Sequence, residues 1–219
     1  MTGFPGFPKE AIAFLRDLKA NNEKPWFEAN KPRYEEALKA PAKHFAAYME
    51  GELARLSGRA MGSKIFRIHR DVRFSKDKTP YKPFVHMLWR PLEPHPDGPA
   101  FYFGLEVDRA IVGAGVFGFD TGRLDAYRHR VAGPQGAALP AMIARLEKKG
   151  VRFRDPPLKR VPRGFEADHP RAALLKRKGL AGFYHLGEPF LACEPSIAKD
   201  CVKALKPFLP LYEWLSDAA

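Results

Sequence analysis

The chain reads as an α+β protein, a single domain in which an antiparallel or mixed β-sheet is covered by N-terminal and C-terminal helices. Three observations predict this. Apolar residues recur at helical spacing through 8–58, the period changes to two across 64–119, and helical spacing dominates again over 121–217. No linker, repeat or composition break divides the 219 residues, so one domain spanning 1–219 is expected.

Pro8 stands where a first helical residue tolerates a missing N–H. Phe14, Leu15 and Leu18 follow at helical spacing, and Asn21 and Asn22 make an exit. Asn30 caps a second helix from Lys31 and Pro32. Pro41 opens a third, whose Phe45, Met49, Leu53 and Leu56 form one stripe that Gly58 ends. Alternation from Ile65 to Ser75 predicts a strand with Phe66, Ile68, Val72 and Phe74 on one face and Arg67, His69, Asp71, Arg73 and Ser75 on the other. Arg70 falls on the apolar side, where either a carboxylate meets it or a bulge turns it outward.

Three further strands are expected, from Phe84 to Arg90, Ala100 to Val107 and Ile111 to Phe119. The link Asp108-Arg109-Ala110 makes the last two a hairpin, and Pro91 to Pro99, PLEPHPDGP, reads as a loop. Gly113, Gly115 and Gly118 thin the last strand, which marks a bulge or a close approach to the backbone, with a packed helix as the expected occupant. Helices are then expected from Gly122 to Val131 and Gly136 to Lys149, a brief strand from Val151 to Arg154, and a helix from Pro170 to Gly179. Two more helices follow Pro195, carrying Val202, Leu205, Phe208, Leu211 and Trp214.

A balance of 45% hydrophobic and 28% charged residues is that of a globular protein. No apolar run approaches the roughly 20 residues that span a bilayer, and MTGFPGFPKE has neither the basic start nor the apolar stretch of a signal peptide, so a cytosolic protein without membrane contact is expected. Cys193 and Cys201 show no metal-ligand or disulfide spacing and read as packing residues. The net charge of +12 favours anionic partners, either small molecules or nucleic acid.

That charge is densest from Arg67 to Lys82, RIHRDVRFSKDKTPYK, which holds six of the 37 Lys and Arg residues. Guanidinium forks, ammonium groups and hydroxyls close together suit a phosphate or carboxylate, and the candidate ligands are Arg67, Arg70, Asp71, Arg73, Ser75, Lys76, Asp77, Lys78, Tyr81 and Lys82. The competing reading is an ion-pair network that draws in Asp71, Asp77, Glu106 and Asp108 and binds nothing. Asn22, Trp26 and Asn30 form a second candidate group, as a stacking and hydrogen-bonding wall or as core and caps. Lys159, Arg160 and Arg163, continued by Arg171, Lys176, Arg177 and Lys178, read as a solvated face that would extend a positive surface if it adjoined the first run.

The segment RDVRFSKDKTPYK closely resembles the signature of a domain-of-unknown-function family, numbered 2461. The resemblance extends to FLRDLKANNEKPWFEANKPRY from Phe14 to Tyr34 and LKRVPRGFEADHPRAALLKRKGL from Leu158 to Leu180. It implies a single-domain α+β fold and no mechanism, because the family carries no established activity, catalytic residue or cofactor. The residues themselves show no GxxxxGK[ST] and no GxGxxG before a helix, so any phosphate is held by side chains. His69 and Asp71 share a strand face with Ser75, but side chains at i and i+2 on a strand stand roughly 7 Å apart, too far for a base and its orienting group. Asp71, Asp77, His86, Glu106 and Asp108 lack any metal-ligand spacing, so no metal is expected. The leading expectation is a protein holding an anionic small ligand. Nucleic-acid binding over an extended basic surface is the alternative, and an ion-paired interaction module is the third reading.

Overall fold

The structure, a computed structural model, describes residues 3–73, 76–92 and 98–217. Phe74, Ser75 and most of the expected Pro91 to Pro99 loop lie outside the described residues. Helices α1 (Lys9–Ala20), α2 (Lys24–Ala29), α3 (Lys31–Tyr34) and α4 (Ala40–Ser57) come first. Strands β1 (Met61–Ile65), β2 (Phe84–Pro91), β3 (Ala100–Glu106) and β4 (Ala110–Val116) follow, then α5 (Thr121–Ala132), α6 (Leu139–Lys148), β5 (Arg152–Phe153), the single turn α7 (Ala172–Leu175), β6 (Leu180–Gly187), α8 (Ile197–Leu205) and α9 (Leu209–Ser216). The strands form one sheet in the order β1-β2-β3-β4-β6-β5, with every neighbouring pair antiparallel.

The helices pack on one face of the sheet. Trp89 of β2 and Phe101 and Phe103 of β3 point into a core built with Phe7, Phe45 and Tyr212, where Phe101 stacks on Tyr212 at 4.5 Å and Phe45 tilts against Phe103 at 4.8 Å. The buried aromatic and branched aliphatic side chains of the helices belong to this core. A second, smaller cluster of Leu88, Ala100, Tyr102 and Ile111, with Phe183 against it, comes from strands alone and marks the sheet's other face.

Several elements differ from the sequence reading, each for a physical reason. The expected second and third helices form one helical run, α3 to α4, joined by a π-turn at Glu35–Lys39. Pro41 does stand in the first turn of α4, but the chain before it is already helical; Pro has no N–H and its ring crowds the preceding turn, which the wide π-turn accommodates. The six-residue α2 falls in a stretch for which the sequence predicts no element. The expected strand from Ile65 to Ser75 stops at Ile65, and beyond it, among the described residues, only His69 makes a strand-like bridge, to Tyr81. Pro80 and Pro83 on the opposing segment have no N–H to donate, and past the Phe66 N–H bond to the His86 carbonyl the described ladder consists of Arg70 N–H donating to the Pro80 carbonyl and Lys82 N–H to the Ile68 carbonyl.

The expected helix from Pro170 to Gly179 is only the turn α7, and the chain then enters β6, which the sequence reading had left unassigned. β6 also corrects the expectation at the glycines of β4. A Cβ on Gly113 or Gly115 would run into the carbonyls of Gly182 or Leu180, so the close neighbour is a strand backbone rather than a helix. Cys193 and Cys201 are free thiols, and burial pushes both thiol pKa values up.

Candidate functional site

The basic run forms the tip of the β1–β2 hairpin. Arg70 is its staple: Nε donates to the Thr79 carbonyl at 3.1 Å, and Nη2 pairs with Asp77 Oδ2 at 2.9 Å while reaching the Tyr81 carbonyl at 3.4 Å. A carboxylate thus meets the guanidinium that alternation placed on the apolar side. Asp77 Oδ1 accepts from the Thr79 N–H and hydroxyl at 2.9 and 2.7 Å, which holds its carboxyl below the usual range. Arg73 and Asp71 pair through two contacts of 2.9 and 2.7 Å, and Lys78 Nζ donates to the Val72 carbonyl at 2.9 Å. Much of the run is therefore tied to itself.

Tyr81 is packed into the core, its ring stacked on Phe27 at 4.1 Å. Asn22 docks the loop on the helical layer by a reciprocal pair with the Tyr81 backbone, accepting from its N–H at 3.0 Å and donating to its carbonyl at 2.9 Å. Asn30 donates to the Trp26 carbonyl at 2.9 Å and so closes α2, while Trp26 lies beside Phe14 at the core margin. Arg67, Lys76 and Lys82 make no ion pair among the described residues. Lys82 Nζ donates to the Arg67 carbonyl at 3.3 Å, and burial together with the Arg67 and Arg70 charges lowers its pKa.

A cleft of about 440 Å³ opens between this segment and the helices. One wall is the stretch Ile65 to His69, with Phe66 and Arg67; the other carries Phe27, Tyr34, Lys39 and Lys43 from α2, α3, the π-turn and α4. Its two acids are committed, Glu35 to Lys39 at 2.8 Å and Glu28 to Lys31 at 4.0 Å. Lys43 and Arg67 have no carboxylate partner among the described residues and supply the surplus positive charge. Lys39 and Lys43 escaped the sequence reading, although their spacing of four places them on one side of a helix.

The second basic segment lies elsewhere. Lys159, Arg160 and Arg163 follow β5, the strand at one edge of the sheet, whereas the first run follows β1, the strand at the other edge. Arg171 was read as part of a solvated face, but it anchors the end of α5. Its Nε donates to the Val131 carbonyl at 2.6 Å, and Nη2 to the Ala132 and Gly133 carbonyls at 2.7 and 3.0 Å.

Among the described residues, no group of three or more His, Cys, Asp or Glu side chains is arranged to hold a metal. His86 and Glu106 do meet, at 3.3 Å, and Arg109 Nε donates to the same carboxylate at 2.8 Å. The His86 hydrogen bond, then that of Arg109, lowers the Glu106 pKa against the opposing effect of burial. A depressed carboxylate pKa contributes stability that is fully present above the unfolded-state value of about 4.3 and is lost as pH falls through the folded-state value. Glu106→Gln should therefore cost about 1–2 kcal/mol at neutral pH, and its urea midpoint should converge on that of the wild type in acid. A gap that persists in acid would show that the Glu106 charge is not the cause.

The class of protein defined by these observations is a single-domain α+β protein with one antiparallel sheet, helices on one face, and a basic cleft at the sheet's β1 edge. The chain belongs to the family described as Conserved hypothetical protein (DUF2461), whose model matches residues 10–214. A search of curated proteins finds no match. Among the described residues, no helix is long and apolar enough to cross a membrane.

Proposed function

We propose that the cleft beside the β1–β2 hairpin holds a phosphorylated or otherwise anionic small ligand. The observation that carries this reading is the pair Lys43 and Arg67, two cations at the cleft without a carboxylate partner among the described residues, beside two glutamates that are already paired. The cleft volume falls within the range of small-molecule sites. Tyr34, Phe66 and His69 add flat walls, and Lys82 behind Arg67 adds a cation whose charge a bound anion would stabilise. The self-pairing of Asp71, Arg73 and Asp77 makes the hairpin tip a scaffold for Arg67 rather than the contact surface. Binding is as far as the reading goes; no reaction is assigned.

Calorimetric titration with inorganic pyrophosphate tests it. Saturable binding is expected, and the double variant Lys43→Glu/Arg67→Glu should weaken it by about tenfold or more while melting like the wild type, since both positions are exposed. Absence of saturable binding, or equal binding by the variant, overturns the reading.

A further inference from the structure

The sheet face turned away from the helices has an unusual composition. An antiparallel sheet with one face toward water ordinarily places polar side chains there, but this face carries a belt of rings across four strands. Phe84 stacks on His86 at 4.0 Å, His86 meets the edge of Tyr102 at 5.2 Å, and Tyr102 meets Phe183 at 5.5 Å. Phe117 closes the belt at 5.8 Å from Tyr102 and 5.7 Å from Phe183. Tyr102 lies along its own strand above Gly104, where a Cβ would come within 2.7 Å of the phenol oxygen, so this glycine lets the ring lie flat. The belt is accessible at Phe117, which keeps 38% of its surface exposed, and Phe66, on the continuation of β1 and outside the belt's ring contacts, keeps 37%.

Cations flank the rings. The Arg154 guanidinium lies over Phe183 at 5.6 Å and the Lys64 ammonium over Phe66 at 5.7 Å. Arg152 pairs in register with Phe183 and is exposed. Glu106 is the acid that strand alternation places on this face, and it is committed to His86 and Arg109. A second copy of the chain laid face to face would oppose these cations with cations, which disfavours self-association. A partner with flat apolar rings joined by regularly spaced negative charges is complementary to both features.

We infer that this open sheet face is a binding surface for single-stranded nucleic acid, whose bases stack on Phe66, Phe117 and Phe183 while Lys64, Arg152 and Arg154 meet the phosphates. A duplex keeps its bases stacked on one another and cannot use the rings. The inference goes beyond the cleft reading: Phe66 borders both places, but the ring belt and the Arg152–Arg154 segment lie outside the cleft.

The test is fluorescence anisotropy of the full chain with labelled oligothymidylate, oligouridylate and a mixed-sequence duplex over a salt series. Tighter binding of either single strand than of duplex, falling with salt, is expected. Phe117→Ala should weaken it by about tenfold, and Arg152→Glu/Arg154→Glu should weaken it and flatten the salt dependence. Should Phe117→Ala melt early, the arginine pair, at exposed positions, carries the test alone. Absence of binding at low salt, equal affinity for duplex, or binding that none of these substitutions alters overturns the inference. So does a Phe117-dependent dimer in sedimentation without oligonucleotide binding. Pyrophosphate binding should be unchanged in these variants, so failure here is distinct from failure of the cleft reading.

Discussion

Gly115→Val should destabilise the protein by about 4 kcal/mol or more, the sum of backbone strain and overpacking. Gly115 sits in the middle of the sheet, paired with Ala100 on one side and Ala181 on the other, at a φ of 134° that β-branched residues do not adopt without strain. A Cβ there would be driven into the Leu180 carbonyl and would come within 2.7 Å of the Ala181 Cα. Both obstacles are backbone held in the β4–β6 ladder, so neither can yield without breaking it. For a chain of this size the expected loss corresponds to about 10 °C in Tm. Gly118→Ala is the control, because a Cβ there meets nothing within 4 Å, and it should melt like the wild type. If Gly115→Val melted like Gly118→Ala, the close approach of β6 to β4 would be wrong.

Trp89→Ala should cost about 3–5 kcal/mol, the range for removing a large aromatic from a packed core. Trp89 is fully buried, stands edge-on to Phe45 at 6.0 Å, and donates its indole N–H to the Ala46 carbonyl of α4 at 2.9 Å. It therefore ties the helical layer to the sheet by volume and by a hydrogen bond. Trp89→Phe keeps most of the volume and should cost about 1–2 kcal/mol, mainly the lost hydrogen bond and a small void. Urea midpoints with unchanged m values measure both. Equal losses in the two variants would mean that volume is not what Trp89 contributes.

The two substitutions differ in how far the sequence foretold them. Gly115 was conspicuous in its strand, but its neighbour was expected to be a helix, because the run LAGFYHLG that forms β6 mixes apolar and small residues without clean alternation. Trp89 lay in a run whose periodicity predicted a strand, and that strand is β2. The basic run shows the same division. Its charge density marked the hairpin tip, and Arg70 stood out as a cation on the apolar side. Its alternation nevertheless predicted a strand that Pro80 and Pro83 on the opposing chain prevent, and the identity of an opposing chain is not a local property. Lys43 and Arg67 line one cleft only because α4 packs beside β1.

By itself the sequence determined the order of helical and extended segments, the β3–β4 hairpin, the helix stop at Gly58 and the concentration of charge near residue 70, because periodicity, turn residues and local composition act over a few residues. Tertiary structure alone decided which sheet face the helices cover. In β3, Ala100 to Leu105 are buried on both sides, so alternation separates two faces without saying which one meets helices and which one carries the exposed ring belt. It also decided which cations share a cleft: Arg67 and Lys43 line one only through the packing of the hairpin against the helical layer, whereas Arg70 finds Asp77 within the loop itself.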